Sequence, residues 1–191
     1  MDRLKLCAVA FSHLFNIQYR CCIGRKNVTR EFVVSFSTYD FHHLAGLKKL
    51  SDIPLLRGNR DRIFKNIISD KITYEMISAS SDFSLMSDRL NYLHRLEGFM
   101  DSNDIIFSFD NHKSKGSTIN AKYLLQNSIE DSIVYFFIGE NSYNDTLNGV
   151  TFFKKEDKDF TLAQARWTLL YKEKFNMQTG QNIIHMDRLK I

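Results

Sequence analysis

A chain of 191 residues that is 43% hydrophobic, with 16 phenylalanines, eight glycines and one proline, has ample material for a core, which excludes a disordered or linker-rich polymer. Its net charge is only +4, yet residues 47–71 hold seven basic side chains against three acidic ones, so the whole excess lies in one segment. No run approaches the ~20 apolar residues of a membrane span and no signal-peptide pattern is read, so a cytoplasmic protein without membrane contact is expected. The three cysteines include the neighbours Cys21 and Cys22, which point to opposite faces of a strand and are expected to stay reduced.

Residues 2–16 read as an amphipathic helix, with Leu4, Cys7, Phe11, Leu14 and Phe15 at helical spacing. Two alternating runs at 17–24 and 29–37, joined by Arg25, Lys26 and Asn27, predict a hairpin. Ser37 or Thr38 caps a helix expected over 39–50, which carries Phe41, Leu44, Leu47 and Leu50 and is stopped by Pro54. Helices are also expected over 59–71 and 84–100, while 73–79 fits a helix or a short strand. From about residue 101 the period changes to two. Residues 105–109, 123–126, 133–138, 150–154, 166–175 and 182–187 read as strands, with turns at 111–116, 140–149 and 178–180. Consecutive strands without long intervening helices pair antiparallel. The expected class is α+β, with N-terminal helices and a hairpin packed on a C-terminal antiparallel β-sheet. Residues 1–191 form a single domain in this reading: 1–100 mainly helical with the hairpin at about 17–37, and 101–191 mainly sheet.

Several chemistries lack their motifs. There is no Walker loop, GxGxxG, HExxH or CxxC, and Asp101, Asp104 and Asp110 lack the glycine and terminal glutamate of a calcium loop. The six histidines are scattered except for His42 and His43, and neighbours about 100° apart on a helix chelate poorly. Neither a cofactor nor a metal is expected. The basic segment would attract phosphates, or it is a solvated helical face with ordinary salt bridges.

The segment from Phe41 to Ile53 is the most informative. It reads Phe41-His42-His43-Leu44, then Gly46-Leu47-Lys48-Lys49 and Asp52-Ile53. This pattern resembles the signature of a phage-linked nuclease family in the barnase/EndoU/colicin-nuclease/RelE-like superfamily of RNases. Residues 168–174, followed by a Thr-Gly turn, are similar to that family's last long strand. The resemblance implies a small metal-independent endoribonuclease of phage, mobile-element or toxin type, with helices against an antiparallel sheet. RNA is then the partner, together with an inhibitor or antitoxin protein.

Metal-free RNA cleavage needs a base for the 2′-OH, a cation at the phosphate and an acid for the leaving 5′-oxygen. Histidine serves both proton roles near neutral pH. The candidate catalytic residues are His43, His42, Thr168 and Lys172, the last two expected to share a strand face; the candidate RNA-binding residues are Lys48, Lys49, Arg57, Arg60 and Arg62. Each has a plainer alternative. His43 would be packed between helix and sheet, His42 the more exposed of the pair, Thr168 and Lys172 an ordinary sheet face, and the arginines a solvated helix start. The catalytic reading requires His43, Lys172 and one of the three arginines to converge on one concave surface. The other readings are a non-catalytic module of the same fold that binds nucleic acid or protein, and a small-ligand binder with a structural histidine pair.

Overall fold

A computed structural model of the chain describes residues 2–140 and 145–189. Helix α1 (Arg3–Ser12) begins where the Asp2 carboxylate accepts from the Lys5 backbone N–H at 2.9 Å, and it buries Leu4, Cys7, Ala8 and Phe11. The helix expected over 2–16 gives way to a 3₁₀ turn at His13–Asn16. Strands β1 (Ile17–Arg25) and β2 (Val28–Ser35) form the expected hairpin, turning through Lys26 and Asn27 at φ 48° and 64°.

The remaining helices are α2 (Thr38–Leu44), α3 (Arg60–Ile68), α4 (Tyr74–Ser78), α5 (Arg89–Tyr92) and α6 (Leu96–Ser102). The stretch 73–79 is thus helical. The helices expected over 2–16 and 59–71 are trimmed at their ends, and two others are interrupted. The one over 39–50 ends at Leu44, because Gly46 takes φ 76° and a 3₁₀ turn, Leu47–Lys49, follows. The one over 84–100 is divided into α5, a 3₁₀ turn at Leu93–Arg95, and α6.

Strands β3 (Ile105–Ser108), β4 (Tyr123–Ile129), β5 (Ser132–Glu140), β6 (Leu147–Lys154), β7 (Ala165–Asn176) and β8 (Asn182–Asp187) complete the chain. Strand β6 begins inside the turn expected over 140–149, of which residues 141–144 lie outside the described residues. The sheet runs β1-β2-β6-β5-β4-β3-β7, β7 pairs back onto β1, and β8 lies outside against β7. The expected open C-terminal sheet with a hairpin packed on it is therefore corrected: the hairpin strands belong to the sheet and close it into a seven-stranded barrel. A ring with an odd number of strands cannot alternate direction all the way round. Here the parallel contact falls between β2 and β6, at Val34 and Leu147.

One core joins helices and barrel. Phe99 of α6 packs edge-on to Phe136 and Phe152 at 6.1 and 5.3 Å, and Phe11 to Phe36 at 5.8 Å. A smaller cluster of Phe107, Phe109, Leu124, Tyr135 and Phe137 is covered by Ile119, Ala121 and Phe160, which pins the loop before β4 against the sheet. Among the described residues no helix is long and apolar enough to cross a membrane.

Candidate functional site

Helix α2 is fixed at both ends before it presents any chemistry. Ser37 and Asp40 form a capping box, with both the Ser37 backbone N–H and hydroxyl donating to Asp40 Oδ2 at 2.7 Å. Asp40 is buried, and its other oxygen accepts from Asn148 Nδ2 of β6 at 3.1 Å. Leu44 then packs on Gly149, where an added Cβ would stand 2.7 Å from Leu44 Cδ1. Those contacts hold α2 flat on β6.

The histidine pair divides between two environments. His42 is buried, and its Nε2 lies 2.9 Å from Arg60 Nη1 and 3.2 Å from the Leu56 carbonyl. A guanidinium only donates, so in the shorter contact Nε2 carries the lone pair of a neutral ring, and the Leu56 carbonyl, itself an acceptor, takes its hydrogen bond from Arg60 Nη1 at 3.5 Å rather than from His42. Burial, then the Arg60 charge, holds its pKa down to about 4. His43 points the other way and is exposed. The expectation that His42 is the more exposed of the two is thus reversed.

His43 opens onto a cleft of about 580 Å³. Gly46 turns the chain so that Lys48 and Lys49 enter its wall, while Leu47 and Leu50 anchor the turn in the core. The same glycine admits Arg89: a Cβ there would lie 2.8 Å from Met86 Cβ and 3.0 Å from Arg89 Cδ. Val150, Thr151 and Phe153 of β6 and residues 118–120 of the pinned loop complete the lining, which among the described residues contains no carboxylate. Among the described residues none of His43, Lys48, Lys49 and Arg89 is in an ion pair. Lost hydration, then Lys48, Arg89 and Arg60, holds the His43 pKa below an ordinary histidine's. Lost hydration, then Arg89, likewise lowers the Lys49 pKa, and its ammonium donates to the Leu85 carbonyl at 2.7 Å. Thr151 Oγ1 is buried with no hydrogen-bond partner among the described residues.

Lys172 and Thr168 lie elsewhere. Lys172 is 3% exposed and donates to the carbonyls of Met100 and Asn103 at 2.7 and 2.5 Å. Its strand is three away from β6 round the ring, through β1 and β2. Nor do the two share a face. In the pairing with β1, Leu169 faces Ile23 and Tyr171 faces Cys22, so Leu170 is an extra residue and the alternation reverses there. Thr168 is left exposed while Lys172 is buried. Arg60 stands behind His42, stacked 5.9 Å from the Tyr39 ring, and Arg57 donates to the Ser51 carbonyl. Neither they nor the exposed Arg62 line the cleft. The required convergence of His43, Lys172 and an arginine of the 57–62 segment does not occur, so the catalytic reading in that form, with Lys172 and those arginines at the phosphate, falls. His43, Lys48 and Lys49 converge instead with Arg89, Thr151, Asn120 and Phe153, four residues that sequence reasoning missed. Only Gly46 could have signalled Arg89, as a place where something approaches the backbone closely.

Fold and cleft together define a class: a helix-bearing closed sheet that presents a histidine among cations. The chain belongs to the phage-Barnase-EndoU-ColicinE5/D-RelE like nuclease4 family, whose profile matches residues 3–189. Comparison with curated proteins and with solved structures finds no match in either.

Proposed function

We propose that this protein is an endoribonuclease that cleaves RNA through the substrate's own 2′-OH, with His43 as the base and Lys48, Lys49 and Arg89 around the phosphate. The observation that carries this reading is the setting of His43, an exposed histidine with a lowered pKa in a cleft walled by cations and free of carboxylates. A neutral imidazole has a lone pair ready for a proton. Lost hydration does most to keep it neutral, and the cations that add to that effect, Lys48 and Arg89 first, also attract the phosphate next to the 2′-OH. In the step, the 2′-oxygen bonds to phosphorus and its proton passes to His43. The bond from phosphorus to the 5′-oxygen breaks, and that oxygen takes a proton from Lys49, whose lowered pKa makes it a better acid than an ordinary lysine. The products are a 2′,3′-cyclic phosphate and a free 5′-hydroxyl.

The test is single-stranded RNA incubated with the protein in EDTA. Cyclic phosphate ends are expected, and a DNA strand of the same sequence should stay intact because it lacks the nucleophile. Dependence on Mg²⁺, or equal cleavage of DNA, would refute this chemistry. A second reading, a nucleic-acid-binding module that does not cleave, draws on the presence of one histidine in the cleft with Lys172 elsewhere. Binding without any cleavage decides for it. Acting as a toxin-type nuclease in the cytoplasm, the protein would be restrained by an inhibitor with an acidic surface that covers the cleft.

A further inference from the structure

Three hollows adjoin at the site through residues that line two of them at once. The central one shares Lys49, Arg89 and Phe153 with a neighbour of about 370 Å³, and Asn120 and Val150 with another of about 500 Å³ on its far side. Charge changes along the line. Among the described residues the charged side chains at the centre are all cations, whereas Asp88 and Glu156 accompany Lys154 at one end and Glu140 accompanies Arg30 and Lys122 at the other. A single phosphate would sit best in the middle.

Phe153 stands between the central hollow and the first neighbour. Its ring is stacked on Phe137 at 5.7 Å and 15°, and meets Tyr135 and Phe160 edge-on at 6.2 and 5.7 Å. Three rings fix it, yet it remains half-buried and lines both hollows. A fixed aromatic surface next to a cationic seat suits an unpaired base, which stacks without regard to its identity. In a duplex the bases are already stacked and paired, and cannot reach such a ring.

We propose that the substrate is single-stranded RNA lying along all three hollows, with one phosphate in the cationic centre, the adjoining base stacked on Phe153, and at least three nucleotides needed for full binding. Only the placing of the scissile bond rests on the nuclease reading; occupation of the groove does not.

The test separates the two by using 2′-O-methyl oligoribonucleotides, which lack the nucleophile. Binding is read by fluorescence anisotropy for lengths of two, three, five and seven nucleotides and for a hairpin duplex. Affinity should rise about tenfold or more from the dinucleotide to the pentanucleotide, and the duplex should bind more weakly than the open strand. Phe153→Leu, which keeps apolar bulk and removes the ring, should weaken binding by about ten- to a hundredfold, while Phe153→Trp should retain it. Melting temperatures of both variants control for folding. A dinucleotide or a duplex that binds as tightly as the heptanucleotide, or Phe153→Leu that binds like wild type, would overturn the proposal. Length-dependent binding without cleavage of ordinary RNA would overturn the nuclease reading and leave the groove standing. Dinucleotide cleavage as fast as that of long strands would do the reverse.

Discussion

His42 accepts from Arg60 through the same ring nitrogen that would take a proton, so protonation costs it that hydrogen bond and adds a charge beside a guanidinium. Its folded pKa of about 4 lies below the ordinary 6.5, so the stability it contributes is full above pH 6.5 and is lost as pH falls towards 4. The loss is at most about 3 kcal/mol. The urea midpoint should therefore drop between pH 7 and pH 4.5, and His42→Gln, without an ionisable ring, should show a smaller drop. Thr151 makes a different prediction. Its hydroxyl, without a partner among the described residues, costs the fold about 1–3 kcal/mol, so Thr151→Val, of nearly the same shape, should raise the melting temperature. The sequence singled out the histidine pair but could not say which member faces in. Neighbours on α2 must diverge, and which one meets Leu56 and Arg60 is decided by how the following loop folds back.

At the scale of elements, Gly46 does the most to assemble the cleft. Gly46→Ala must hold φ 76° and press a methyl against Met86 and Arg89. The left-handed conformation alone costs roughly 1–2 kcal/mol, so a lower urea midpoint is expected together with weaker RNA binding as Arg89 is displaced. Beside the Gly46 turn that ends α2, the two interrupted helices share a signal that was present in the sequence. Phe41, Leu44, Leu47 and Leu50, like Leu90, Leu93, Leu96 and Phe99, recur every third residue and all are buried. A strict spacing of three fits 3₁₀ turns, in which residues i and i+3 eclipse, better than a continuous α-helix. The bulge at Leu170 left no such trace. Without it Thr168 and Lys172 would share a face, as alternation implies, and only the register against β1 reveals the shift.

For the whole molecule, the strands were largely legible from their period of two, but the closed barrel was not. Closure depends on β1 pairing with β7 across some 150 residues of intervening chain, and on a β2–β6 contact whose parallel sense follows from the odd strand count. Closure also sets which cations work together. Lys48 and Arg89 share the cleft, while Arg57 and Arg62 lie outside it. Affinity for single-stranded RNA should fall with salt, and each of Lys48→Ala and Arg89→Ala should reduce the slope of log K against log salt by about 0.7. Arg57→Ala and Arg62→Ala should leave that slope unchanged. The role of His43 as a proton acceptor is tested most directly by the rate of RNA cleavage by His43→Ala in EDTA, with and without added imidazole. The rate should fall by about 10²–10⁴-fold at an unchanged melting temperature, since the side chain is exposed, and imidazole should restore part of it. A His43→Ala protein that cleaves RNA as fast as wild type would contradict the account.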